Sequence, residues 1–135
     1  MQQAHALAGV ARLARTRRDL NIITFSGYYY EELLAQPAGT GIPELLAETD
    51  VLIDGPYVKS MNDNRGLRGS NNQRILHLTS RLKGLDFENY PRRVEIQLRD
   101  SEAHLIGIPA NGVLDSLGEA LRAPAVKETI NHERI

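Results

Sequence analysis

The chain has 135 residues, with 16 Lys and Arg against 17 Asp and Glu for a net charge of −1, and no cysteine. That length suits a single core; the balanced charge, with a pI near 6.4, lacks the basic excess of a dedicated nucleic-acid binder, and the missing thiols exclude a disulfide, a thiolate nucleophile and a Cys-held zinc or iron–sulfur centre within this chain. Apolar residues at 41% and charged residues at 24% are ordinary globular usage, and no apolar run is long enough for a membrane span or a signal peptide, so a cytoplasmic protein without membrane or nucleic-acid partners is expected.

Ala4, Leu7, Ala8, Ala11 and Ala14 recur at helical spacing, and Arg15, Arg17 and Arg18 gather where the last turn carries the negative end of the dipole. This predicts a helix over residues 2–17. The apolar, β-branched run from Leu20 to Phe25 stops at Ser26-Gly27 and reads as a buried strand. Tyr30 to Gln36 is a short helix stopped by Pro37, and Pro43 opens another over Glu44 to Glu48. Val51-Leu52-Ile53-Asp54 is a second buried strand ending at Gly55-Pro56. Two apolar strands, each preceded by a helix, imply a parallel sheet with crossover helices over its faces.

Lys59 to Arg74 is polar and rich in Asn, Arg and Gly, a long surface loop. For Ile75 to Leu82 the pattern does not separate strand from helix. Val94, Ile96 and Leu98 alternate with polar residues, Asp100-Ser101-Glu102 turns the chain, and Ala103 to Ile108 returns, so a β-hairpin is predicted. Leu114, Leu117 and Leu121 mark a helix ending before Pro124. The class is therefore α/β, an incomplete parallel sheet with a C-terminal β-hairpin and helix, divided into residues 1–90, 91–123 and a tail of 124–135. A parallel sheet needs more strands than two, yet the chain opens on a crossover-type helix, as if its first strands were missing.

Chemistry is expected at the carboxyl ends of the parallel strands, where open α/β sheets place ligands. Gly27 lets a ligand approach the backbone there, and Ser26 offers a hydroxyl and an N–H, or simply caps the next helix. Asp54 and Gly55 end the other strand on the same rim; an Asp there can hold a ribose hydroxyl, an amine or a metal, or form a turn. The run Arg65-Gly66-Leu67-Arg68-Gly69-Ser70-Asn71-Asn72-Gln73-Arg74 is the densest polar cluster. Its guanidinium groups suit a carboxylate or phosphate, its spacing matches neither a Walker loop nor a dinucleotide fingerprint, and the plain alternative is a solvated loop. His5, His77, His104 and His132 lack metal-ligand spacing. Tyr28-Tyr29-Tyr30 can stack a base or supply core volume.

Together these pieces resemble a known family. Asn21-Ile22-Ile23-Thr24-Phe25-Ser26-Gly27-Tyr28, Tyr30-Glu31-Glu32-Leu33, Asp50-Val51-Leu52-Ile53-Asp54-Gly55-Pro56-Tyr57-Val58 and Leu67 through Arg74, in this order and spacing, resemble the radical S-adenosylmethionine activating enzymes of the anaerobic ribonucleotide reductase type, which generate a glycyl radical on a partner enzyme. The shared span covers residues 2 to about 82. Members of that family bind a [4Fe–4S] cluster through a CxxxCxxC loop, followed by a Gly-Gly-Glu-Pro strand end that holds the methionine amine of the cofactor; this chain has neither. The resemblance implies the C-terminal half of a radical S-adenosylmethionine partial barrel, with Met1 standing where such families have an internal Met.

Residue by residue, the resemblance implies that Ser26, Gly27, Asp54 and Gly55 line the cofactor cavity, and that Arg68, Gly69, Ser70, Asn72 and Gln73 form a loop closing over it toward substrate or partner. It implies no catalytic residue, metal ligand or cofactor in this chain alone, while the complete family member uses S-adenosylmethionine and a [4Fe–4S] cluster. The implied partners are an N-terminal half carrying the cluster and a glycyl radical enzyme. It leaves open a truncated product, a misplaced start or a separately encoded half, and which enzyme is activated. Self-association through an exposed strand edge is also expected. The alternative is a non-redox module that binds a small molecule or docks a partner.

Overall fold

A computed structural model describes residues 3–99 and 102–122. Helix α1 (Ala4–Arg18) leads to strand β1 (Ile23–Phe25), then helices α2 (Tyr30–Leu34) and α3 (Ile42–Glu48) and strand β2 (Val51–Asp54). After a 3-10 turn at Lys59–Met61 come β3 (Arg74–His77), β4 (Val94–Arg99), β5 (Glu102–Gly107) and α4 (Val113–Arg122). The predicted hairpin is β4 and β5, and the predicted last helix is α4. The turn residues Asp100 and Ser101, and the tail beyond Arg122, lie outside the described residues.

The main sheet has three strands in the order β1-β2-β3, with β1 parallel and β3 antiparallel to β2. It is open and only partly parallel. The ambiguous stretch Ile75 to Leu82 is therefore a strand over its first three residues, and the strand begins one residue earlier, at Arg74, which the sequence pattern had placed in the loop. Its Leu76 and Leu78 pack on one face of the sheet and Ile75 on the other, an alternation too short to distinguish from a helical turn.

One face of the sheet carries the helices. Leu52 packs there with Ala4, Leu33 and Ile42, and Leu45 and Leu46 close around them. The alanines on the inner side of α1 explain its close approach to α3: Ala4, Ala8 and Ala11 are buried, and small side chains let helix axes draw together. The other face is covered without helices. Val51 and Ile53 meet Leu82 and Phe87 from irregular chain, with Ile23, Leu67 and Ile75 around them. The expectation of crossover helices on both faces thus holds for one face only, because the chain after β3 supplies Leu82 and Phe87 from a loop.

Asp50 locks the amino end of the sheet. Its fully buried carboxylate accepts from Arg15 Nη2 at 2.9 Å, Ile22 N at 2.9 Å and Thr79 Oγ1 at 2.7 Å. One side chain therefore joins α1, the entry to β1 and the exit from β3. Burial alone would raise its pKa, but the Ile22 N–H, the Thr79 hydroxyl and the Arg15 guanidinium outweigh it and hold the carboxyl below its ordinary 3.8.

Candidate functional site

Register places the carboxyl ends of both parallel strands together. Phe25 lies beside Ile53, and Ser26 N donates to Ile53 O at 2.9 Å, so Ser26 and Asp54 share one rim as the sequence pattern predicts. Beyond it the chain turns: the Ser26 hydroxyl accepts from Tyr28 N at 3.0 Å, a local serine turn rather than a helix cap. The start of α2 is held by two carboxylates instead. Glu32 reaches back to Tyr29 N at 2.7 Å, and Asp54 accepts from Tyr30 N at 2.7 Å.

Asp54 is fully buried, and its position on β2 pairs it with Arg74 on antiparallel β3. Arg74 donates Nε to Asp54 Oδ1 at 3.0 Å and Nη2 to Asp54 Oδ2 at 2.5 Å, and forks onto both oxygens of Glu31 at 3.1 and 2.7 Å. These hydrogen bonds, those to Asp54 first, raise the Arg74 pKa. The Asp54 carboxylate is thus committed to Arg74 and to the start of α2, which bind β2, β3 and α2 into one rim.

The Arg68 to Gln73 loop is tied to the same rim through Gln73. Its Oε1 accepts from Gly69 N at 2.8 Å and Ser70 N at 3.2 Å, and its Nε2 donates to Gly55 O at 2.8 Å. Asn72 donates to Pro56 O at 2.7 Å, and the fully buried Ser70 accepts from Val58 N at 3.1 Å. Gly69 has its reason here, since a Cβ would stand 2.9 Å from the Tyr57 ring. Arg68 takes a different part: it pairs with Asp63 at 3.0 Å inside the loop, and its carbonyl accepts from Arg92 at 2.6 Å.

Gly55 adopts φ +97°, and a Cβ on it would stand 2.9 Å from Tyr29 Cε1. Tyr29 therefore lies over Gly55, with the Arg74 guanidinium 5.2 Å from its ring centroid.

Beside this rim, under the start of α1, is a concavity of about 470 Å³. Thr24, Ser26 and Gly27 line it from β1 and the turn, Leu7 from α1, Leu45 and Leu46 from α3. The structure brings Ser26 and Gly27 into this concavity; Asp54 and Gly55 share their rim but do not line it. Sequence reasoning read Arg74 only as part of a polar cluster suited to an anion, and named Thr24 in the strand-end stretch without a role of its own. For Arg74, a pairing with Asp54 becomes readable only once β3 is known to run antiparallel.

The donor set does not suit an iron–sulfur cluster. There is no cysteine in the chain, and among the described residues no group of three or more His, Asp or Glu side chains could hold a metal ion. Among the same residues no helix is long and apolar enough to cross a membrane.

A family model described as a 4Fe-4S single cluster domain matches residues 1–76. The match runs from the start of the chain through β2 and into β3, and stops before the hairpin and α4. No curated protein and no solved structure matches the chain.

Proposed function

Because the chain belongs to the 4Fe-4S single cluster domain family, we propose that it is the portion of a radical S-adenosylmethionine activase that frames the site without carrying the cluster, of the type that serves anaerobic ribonucleotide reductase. One conjunction supports this reading: an iron–sulfur family match over a chain that contains no thiolate. Thiolates hold such clusters, so in this reading the iron centre is held by a separate N-terminal segment, and the reaction does not begin in this chain alone.

The part left to these residues is to shape and orient. Ser26 and Gly27 offer a hydroxyl and an open backbone beside the concavity, suited to the ribose and methionine ends of S-adenosylmethionine. Asp54 and Gly55 support that rim from behind, with Asp54 fixing α2 and Gln73 fixing the loop of Arg68, Gly69, Ser70 and Asn72 to the Gly55 carbonyl. The loop edge is then the surface that meets the glycyl radical enzyme. The protein positions; the cofactor does the difficult chemistry.

A second reading has one observation of its own: the concavity is ready-formed, largely apolar and carries only a few polar groups, the character of a small-molecule site. The codons immediately upstream of Met1 separate the two. An open frame encoding three cysteines as CxxxCxxC and a Gly-Gly-Glu-Pro strand end is the expected result. A stop codon with its own ribosome-binding site, and no such frame nearby, would replace the activase reading with a non-redox binding module.

A further inference from the structure

The chain between the 3-10 turn and β3 closes on a side chain that comes from beyond it. Arg92, half-buried just before β4, directs its whole guanidinium into the arc of residues 62–68. Nε donates to Gly66 O at 3.1 Å, Nη1 to Asn62 Oδ1 at 3.0 Å and Nη2 to Arg68 O at 2.6 Å. Longer contacts fill the gaps: Nη1 to Asn64 Oδ1 at 3.4 Å and Pro109 O at 3.5 Å, and Nη2 to Arg65 O at 3.3 Å. Every nitrogen of the guanidinium thus has one short bond, and the donors of a single arginine are shared among oxygens from two separate stretches of chain.

The local sequence builds this arc. Asn62 Oδ1 accepts from Asn64 N at 3.0 Å and Asp63 Oδ1 from Arg65 N at 3.1 Å, two Asx turns in succession. Asn64 and Gly66 both take φ +59°, the left-handed conformation that Asn and Gly tolerate best, and a Cβ on Gly66 would collide with Phe87 O. The chain after β5 supplies the other wall: Asn111 N donates to Asn64 Oδ1 at 2.7 Å, and Asn62 Nδ2 to Asn111 Oδ1 at 3.0 Å.

The oxygens around Arg92 are all neutral. The carboxylate within the arc, Asp63, is turned to Arg68 at 3.0 Å, and among the described residues Arg92 forms no ion pair. A cation held by carbonyl and amide dipoles alone is selected by the directions of its donors rather than by opposite charge, and the planar guanidinium fork has directions that an ammonium lacks.

We propose that residues 62–68 form a guanidinium-binding site, filled in the native chain by Arg92, and that its occupation holds the Arg68 to Gln73 loop on the rim. Both ends of the arc run into the fastenings of that loop. On one side Met61 O accepts from Asn71 N at 2.8 Å; on the other, Arg68 is followed directly by the Gly69 and Ser70 amides that donate to Gln73 Oε1. Arg92 lies outside residues 1–76 of the family match, so the chain leading into the hairpin supplies the positioning residue for a loop of the matched unit. This inference goes beyond the functional reading and does not depend on it.

Removing the side chain opens the site to a small probe. In Arg92→Ala the Leu67 and Asn71 amides, bonded to Phe87 O at 3.1 Å and to Met61 O, should exchange about tenfold faster or more. Methylguanidinium, well below denaturing concentration, should restore their protection along a saturable curve. Methylammonium, with the same charge but no planar fork, should not. The wild-type chain and Arg93→Ala, whose exposed side chain makes no bond among the described residues, should respond to neither cation. Arg92→Lys keeps the charge and most of the stem and should still expose the same amides. The proposal is overturned if those amides in folded Arg92→Lys stay as protected as in the wild type, or if methylguanidinium protects Arg92→Ala no better than methylammonium.

Discussion

Gln73→Ala tests how the late loop is held to the rim. The substitution removes three hydrogen bonds at once, from Gly69 N, from Ser70 N and to Gly55 O. Each such bond contributes about 1 kcal/mol net, and a backbone group left unpaired away from water costs about 1–3 kcal/mol. Gln73 is half-buried, so water replaces part of the loss, and a destabilisation of about 2–3 kcal/mol is expected, a midpoint lower by about 10 °C for a chain of this size. Asn71→Ala is the control: that side chain is exposed and should cost less than about 0.5 kcal/mol. Thermal and urea unfolding measure the global effect. Hydrogen exchange at the Gly69 and Ser70 amides measures the local one, and both should lose protection. A Gln73→Ala protein as stable as Asn71→Ala, with those amides still protected, would refute the clamp.

Three further outcomes follow from the same geometry. The Asp50 carboxyl is held below its ordinary 3.8 in the fold, so the stability it supplies is complete above about pH 4 and is lost as the pH falls through its folded value; Asp50→Asn should therefore flatten the acid limb of a stability-versus-pH curve, and an unchanged limb would exclude Asp50 from acid unfolding. Gly55→Ala adds a Cβ against Tyr29 at a backbone angle of +97° and should cost about 1–3 kcal/mol in urea titration, whereas no loss would mean the turn relaxes freely. Arg74→Lys should lower the thermal midpoint more than Arg68→Lys, because Lys cannot reproduce the fork onto Asp54 and Glu31; equal effects would show that the rim does not depend on that fork.

The elements with a clear local pattern were legible from sequence: α1 by the helical spacing of its buried alanines, β2 by a continuous apolar run buried on both faces, the hairpin by its alternation. So was the shared rim of Ser26 and Asp54, which follows once two strands are parallel. Two features depended on contacts that no local pattern encodes. The direction of β3 is fixed by Arg74 meeting Asp54 and by Ile75 packing under Val51 and Ile53. The lower face of the sheet is sealed by Leu82 and Phe87 from irregular chain, whose burial cannot be read from residues without a period. Arg68 shows the same limit: its sequence neighbourhood suggested an anion contact, and its partner is Asp63, five residues away in the same loop.

The chain belongs to an iron–sulfur family and has no cysteine, and the central proposal is that a separate segment holds the cluster. Anaerobic reconstitution with iron and sulfide measures this directly, comparing the 135-residue chain with the same chain extended through the codons upstream of Met1. The isolated chain should retain no stoichiometric iron and develop no cluster absorption, while the extended chain should hold one [4Fe–4S] cluster and bind S-adenosylmethionine. A cluster bound by the isolated chain, or none bound by the extended one, would contradict it.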